Sequence, residues 1–297
     1  MNGVEISITT DFMGSQGDPR EALRLISAAG IEYVHWCHRY TGCYMYYDDE
    51  VRYIKSLLNE FGLTALDVHA SDGGKEGILW MSPYQFEQEQ GLDLIFNRME
   101  FASEIGARAI VLHVSKLLPE DPQARAEYLR LAGENLAIIA PWAKDLNVKV
   151  GLENTDSFPD NTQTILALLE ISDPEWIGIT YDAGHANIHD SIDDFLELAK
   201  DRLFVLHLND NHGPNGPGES GDPDIHLLPF DGSTDWERVI EVIGRSAYRG
   251  PLNFEVSWYQ YRDSMSQEEY LRLFMLRASE IARMAIDAGA TNLMTAD

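Results

Sequence analysis

Seven residues able to bind a metal or move a proton stand at the ends of short apolar runs in this sequence. His69 closes LDVHAS, His113 closes IVLHVS and Glu153 closes VGLENT. Asp182 and His185 follow one another three apart in TYDAGHANI, His207 ends FVLHLND and Glu255 ends NFEVSW. A Gly- and Pro-rich stretch adds Asp224 and His226 in DPDIHLLPFDGSTDW. Imidazole and carboxylate sets of this kind suit divalent cations such as Zn²⁺, Mn²⁺, Co²⁺ or Fe²⁺. An isolated histidine after an apolar run is more often a packed residue than a ligand, and a lone carboxylate there can be a hydrogen-bonded structural group. The joint pattern argues against both, because Asp and Glu are seldom fully buried unless paired or metal-bound. Glu153 and Glu255, each directly after an apolar run, read as metal ligands or catalytic carboxylates, and the spacing of Asp182 and His185 lets both face one site.

Such residues need elements that bring them together. Apolar, β-branched runs predict strands at Val4–Thr9, Glu32–Trp36, Thr64–His69, Ala109–His113, Val148–Glu153, Ile177–Tyr181, Leu203–His207 and Leu252–Glu255. Amphipathic patterns predict helices between them, at Pro19–Ala29, Glu50–Phe61, Phe96–Ile105, Arg125–Leu146, Ile192–Lys200, Trp236–Ile243 and Gln267–Ala288, with Asp18, Asp49, Ser191 and Ser266 as N-caps. Strict βα alternation means parallel strands with crossover helices. Eight such units in 297 residues fit a single (β/α)₈ TIM barrel, an α/β fold occupying one domain over residues 1–297. An open doubly wound sheet is the rival of similar length. In a barrel the carboxyl ends of all strands meet on one face, which makes Glu153 and Glu255 neighbours. The longest loop, Asn209–Thr234, is too long for a plain connection and reads as functional.

Composition narrows the function classes. The chain is 44% hydrophobic and 24% charged, an ordinary globular mix, and carries a formal charge of −27 from 49 acidic and 22 basic residues. Phosphate-backbone binding needs a Lys/Arg surface, and no such cluster is present, so nucleic acid is not the expected partner. Bound cations would offset part of the acidity. No run approaches the roughly 18 apolar residues of a membrane span, and the N-terminus lacks the pattern of a secretory signal. The two cysteines, Cys37 and Cys43, then read as reduced thiols of a cytoplasmic protein.

The series GLENT, YDAGH, VLHLND, HLLPFDGSTDW and NFEVSW resembles the xylose-isomerase-like TIM-barrel superfamily, which includes sugar-phosphate isomerases and epimerases and the endonuclease IV type of repair enzyme. The resemblance to the ketose epimerases implies one divalent metal (Mn²⁺, Co²⁺, Zn²⁺ or Mg²⁺) per chain, held by Glu153, Asp182, His207 and Glu255. It further implies that Glu153 and Glu255 remove and return a proton through an enediolate while His185 positions a substrate oxygen. Where those epimerases carry an Arg past the strand-seven histidine, this sequence reads Asn209–Asp210–Asn211–His212–Gly213, which leaves the particular sugar open. The endonuclease branch holds up to three ions with nine ligands, matched here by His69, His113, Glu153, Asp182, His185, His207, Asp224, His226 and Glu255. The acidic balance and the loop PFDGSTDW favour the sugar enzyme, an isomerase or epimerase of a small carbohydrate; the alternatives are a three-zinc phosphodiesterase and a non-catalytic carbohydrate-binding barrel. Trp36, Lys116 and Trp258 are candidates for the substrate pocket, with His38 and Arg39 beside them, and Tyr40–Tyr47 for a lid. His35, His189 and His212 read as ordinary histidines, and a homo-oligomer is compatible with all of this.

Overall fold

The computed structural model describes residues 4–37, 45–70, 79–114, 119–155, 161–189, 192–216 and 223–293. Eight parallel strands alternate with helices: β1 (Ile6–Thr9), α1 (Arg20–Ala28), β2 (Tyr33–Trp36), α2 (Asp48–Phe61), β3 (Thr64–His69), α3 (Gln85–Ile105), β4 (Ala109–His113), α4 (Pro122–Leu146), β5 (Lys149–Glu153), α5 (Thr162–Ile171), β6 (Ile177–Asp182), α6 (Ala183–Ile188), α7 (Ile192–Ala199), β7 (Leu203–His207), α8 (Trp236–Gly244), β8 (Leu252–Phe254) and α9 (Gln267–Asp287). The strands lie in the order β7-β6-β5-β4-β3-β2-β1-β8. A doubly wound sheet would reverse its order partway; this one never does. Its ends meet where Leu208 bridges Phe254, the Leu208 amide donating to the Asn253 carbonyl at 2.9 Å and the Glu255 amide to the Leu208 carbonyl at 3.2 Å. The result is a nearly closed (β/α)₈ TIM barrel.

The expected strands agree with the observed ones to within two residues. The larger difference is α3, which starts at Gln85 rather than Phe96. A glycine inside a helix ordinarily weakens it, yet a Cβ on Gly91 would come within 2.3 Å of the Trp80 backbone nitrogen. The glycine serves close packing of helix against chain, and the helix runs through it. Helix α2 begins at Asp48, one residue ahead of the expected cap Asp49, and the Glu50 carboxylate accepts the Tyr47 amide at 3.2 Å. Ser266 caps α9 as expected: its hydroxyl accepts from the Glu269 amide, and the Glu269 carboxylate accepts from the Ser266 amide at 2.8 Å. Ser191 lies outside the described residues.

Two-residue alternation along each strand separates two environments. Ile8, Val34, Trp36, Val68, Ile110, Leu112, Val150, Leu152, Leu206 and Phe254 join the main core with Leu23, Ile26, Ile54, Leu57, Met99, Phe274 and their neighbours from the helices. Each such side chain contributes about 1.5–3 kcal/mol by leaving water. The opposite positions make a separate, small apolar plug of Ala109, Val111 and Val205. They also carry buried polar groups: Ser7, Thr9, His35, Asp67, Thr180 and Asn253. Barrel interiors are usually filled by bulky branched side chains. This one is polar toward the carboxyl ends of its strands, beneath the candidate ligands.

Candidate metal centre

Asp182 shows how the local sequence builds the site. It ends β6 and caps α6, its Oδ1 accepting the His185 amide at 2.7 Å. Its Oδ2 accepts from Asn209 Nδ2 at 2.8 Å, and its backbone pairs in both directions with the Asn154 side chain (2.8 and 2.9 Å). The glycine of YDAGH is required here, since a Cβ on Gly184 would overlap Asn209 Oδ1 at 1.8 Å. Asn209 therefore holds the carboxylate and Asn154 the backbone that carries it, and neither residue stands out in the sequence.

One ligating atom from each of Glu153, Asp182, His207 and Glu255 lies within 4.8 Å of the others, and all four residues are buried. The parallel register makes this unavoidable: His113 pairs with Glu153 across β4–β5, and Asp182 with His207 across β6–β7. His207 Nδ1 sits 2.6 Å from Glu153 Oε1 and 2.8 Å from Glu255 Oε2. Two further groups flank the first. His69 and His113 approach Glu153 Oε2 with their Nε2 atoms at 3.7 and 2.8 Å, and Asp224 lies 3.4 Å from His185 Nε2 and 3.0 Å from His226 Nε2. Each of these triads also fits within 4.8 Å.

The electrostatics follow from burial and crowding. Burial raises the Asp182 carboxyl to about 6, only partly offset by His185. Burial also opposes ionisation of Glu153 and Glu255, but the charge of His207 and hydrogen bonds from it, joined at Glu153 by His113, outweigh that and hold both below the usual carboxylate range. Asp224 is held low in the same way by His226 and His185. In return, and against burial, carboxylates raise His185, His207 and His226 well above the ordinary imidazole value. His69 goes the other way, pushed down by burial and by His113. Among the described residues, three mutually close, buried carboxylates lie against imidazoles whose protonated forms they favour. That donor set, oxygen-rich with imidazole, fits a divalent cation that would take the place of those protons.

Asp224 and His226 come from the long loop, and a single carboxylate organises it. Asp210, fully buried, accepts from the amides of Asn211 (2.9 Å) and Thr234 (3.0 Å) with Oδ1, and from the Phe230 amide (2.9 Å) and Trp236 Nε1 (3.2 Å) with Oδ2. Its backbone pairs both ways with Leu227. Asp231 ties the same turn to Tyr261 (2.8 Å) and Arg277 (3.0 Å). These contacts hold His226 and Phe230 at φ of 46° and 73°, a left-handed conformation uncommon for such residues. The motif PFDGSTDW is thus chiefly a brace for the D-x-H pair.

The structure brings together all nine residues matched to the ligand set. It corrects two other readings. Trp36 is not a pocket residue: alternation turns it to the helix side of β2, where it is fully buried against Phe101 (5.8 Å between rings) and its indole donates to the Tyr46 hydroxyl at 2.9 Å. His35 is not an ordinary histidine, since it lies fully buried inside the barrel in contact with Asp67, its ring 4.4 Å from that of His207. Its inward parity, two residues before Cys37 on a strand ending at the site, was the signal. Asp11, beyond β1, was also missed; burial and Glu255 raise its carboxyl. Trp258 stands just past β8, half-buried, with its indole donating to the Met265 carbonyl at 3.0 Å. His189 and His212 lie apart from the cluster, the first contacting the Thr155 carbonyl at 3.2 Å and the second exposed. Cys37 is a free thiol that burial and Asp11 keep protonated. Lys116, His38, Arg39 and Cys43 lie outside the described residues. Among the described residues no helix is long and apolar enough to cross a membrane.

Residues 23–276 match the model of the xylose isomerase-like TIM barrel family. The uncharacterized protein y4fM of Sinorhizobium fredii is 29% identical over 297 aligned residues, covering 91% of this chain and 92% of its own. A ketose 3-epimerase of Arthrobacter globiformis is 27% identical over 219 residues, 69% of this chain and 68% of that one. Among solved structures, a D-tagatose 3-epimerase-like protein superimposes with a TM-score of 0.71 at 20% identity, covering 93% of this chain and 98% of its own.

Proposed function

From the premise that this chain belongs to the xylose isomerase-like TIM barrel family, we propose that it is a divalent-metal-dependent isomerase or epimerase of a small sugar, sugar phosphate or related ketose. The observation that carries this reading is the buried cluster of Glu153, Asp182, His207 and Glu255 at the carboxyl ends of β5 to β8. Those four would hold a divalent cation (Mn²⁺, Co²⁺, Zn²⁺ or Mg²⁺), which would supply charge stabilisation for an oxyanion beside the carbon that loses its proton. Glu153 and Glu255 reach the same centre from non-adjacent strands. They act as the pair of bases that remove and return the proton, one on each side of the bound ketose. His185, whose Nδ1 donates to the Asn154 carbonyl at 2.8 Å and whose Nε2 lies 3.4 Å from Asp224, orients a substrate oxygen. The ketose 3-epimerase relative supports a carbohydrate substrate.

The test is turnover and solvent-deuteron exchange at the carbon next to the carbonyl, across a panel of ketoses and their phosphates in Mn²⁺ or Co²⁺. Exchange is expected with at least one ketose, and its absence throughout the panel overturns the reading. A second reading has its own observation. The His69–His113–Glu153 and His185–Asp224–His226 triads could each take an ion, as in a three-metal phosphodiesterase. About one ion per chain supports the isomerase; three tightly held Zn²⁺ support the hydrolase.

A further inference from the structure

Metal-binding histidines almost always give their second ring N–H to a carboxylate, a carbonyl or water, which fixes the tautomer and the ring angle. Two histidines of this centre already do so within the protein. His185 Nδ1 donates to the Asn154 carbonyl at 2.8 Å and His226 Nδ1 to the Glu255 carbonyl at 2.7 Å, so each aims Nε2 at Asp224. His69 Nδ1 and His207 Nε2 are buried without such a partner, and of the two only His207 belongs to the four-residue cluster. Its Nδ1 faces the carboxylates of Glu153 and Glu255, while its Nε2, fully buried, has no hydrogen-bond partner.

What lies behind it is a second buried pair with a matching vacancy of bonding. His35 Nδ1 contacts Asp67 Oδ1, and Asn253 Nδ2 steadies the other Asp67 oxygen at 3.3 Å. His35 Nε2 is buried and unpartnered as well. The His35 and His207 rings stand 4.4 Å apart at 64°, and one polar atom from each of His35, Asp67 and His207 falls within 4.8 Å of the other two. A carboxylate on Nδ1 fixes His35 as the tautomer with its proton there, which leaves Nε2 as a lone-pair acceptor. A neutral His207 that ligates through Nδ1 carries its proton on Nε2. Among the described residues both Nε2 atoms lack a hydrogen-bond partner, across rings 4.4 Å apart, so a metal-bound His207 would turn a donor toward a lone pair on His35; Cys37 and Glu255 also lie within 4.8 Å of a His35 ring nitrogen.

The geometry points to Asp67 and His35 as positioning residues for the metal ligand His207: a carboxylate–imidazole relay inside the barrel that receives the His207 Nε2 proton and keeps Nδ1 available to the cation. This rests on the ligand set in the proposed function and adds a layer beneath it. It also accounts for a polar pair in an interior that a barrel ordinarily fills with aliphatic side chains.

Co²⁺ alone is the probe, titrated into the metal-free full chain and followed by its visible absorption and by calorimetry, with no substrate present. Asp67→Asn and His35→Phe are each expected to weaken Co²⁺ binding about 10- to 100-fold and to shift the visible bands. His35→Gln, which keeps an acceptor near the same place, is expected to recover part of the affinity lost in His35→Phe. Melting of the metal-free proteins serves as the control for folding. If Asp67→Asn does not fold, the comparison of His35→Phe with His35→Gln decides. Affinities within twofold of the parent with unchanged bands overturn the relay while leaving the four-ligand site intact. A parent chain that binds no Co²⁺ overturns both.

Discussion

The two halves of the candidate centre are built by different means. Glu153, Asp182, His207 and Glu255 leave the ends of adjoining strands, and backbone pairing such as Asp182 with His207 sets their spacing. Asp224 and His226 sit on a loop whose shape depends on one buried carboxylate, Asp210, and on two non-glycine residues held at positive φ. A strand-borne ligand shares the stability of the whole barrel. A loop-borne ligand is only as fixed as its brace. Under the proposed function, the first half would serve the chemistry of every turnover and the second an added ion or a substrate contact.

Several substitutions sharpen or break this contrast. The largest effect belongs to Glu153→Gln or Glu255→Gln, which should lower turnover by about 10²- to 10⁴-fold with melting nearly unchanged; near-normal kcat would remove the two-base reading. Next is Asp210→Ala. It strands four buried donors, so a loss on the order of 3 kcal/mol is expected, seen in denaturant unfolding, together with loss of any ion at Asp224–His226 and retention of the one at Glu153. If stability and both metal contents persist, the brace is not what fixes the loop.

Protons give a smaller, graded effect. His185, His207 and His226 are raised above the usual 6.5 by their carboxylate neighbours. A raised histidine adds stability below its unfolded value and loses it as pH climbs through its folded value. The melting temperature of the metal-free protein should therefore fall as pH rises above about 6.5. Metal must displace those protons, so apparent affinity should rise over the same range, by about tenfold per pH unit for each proton released. Calorimetry at several pH values checks both, and a flat profile would mean the imidazoles are not the ligands being freed. At the bottom of the scale, Arg24→Ala, which breaks an exposed i,i+3 pair with Glu21, should leave melting and metal content unchanged.

How far the site could be read from the chain divides along the same line. His69, His113, Glu153, Asp182, His207 and Glu255 announce themselves because a polar, ionisable residue ending an apolar run has few structural excuses. The D-x-H of Asp224 and His226 stands out only by its residue types in an overlong loop, since no periodicity marks where a loop will point, and the resemblance alone implies a ligand role for it. His35 and Asp67 were passed over: each sits within a strand, and whether an inner position is apolar filler or a polar relay depends on what faces it across the barrel. Trp36 erred in the opposite direction, one residue of parity turning it from the cavity to the helices.

By itself, then, the sequence determined eight βα units and strand ends rich in carboxylates and imidazoles, with a barrel implied by resemblance and an open sheet as its rival. Periodicity and the chemistry of side chains are local properties, legible along the chain. Tertiary structure decided which nitrogen of each histidine meets the site, which carboxylate braces the loop and which polar pair stands behind His207. Those are contacts between residues as far apart in the chain as Asp67 and Asn253, and only closure of the sheet into a ring brings them within reach.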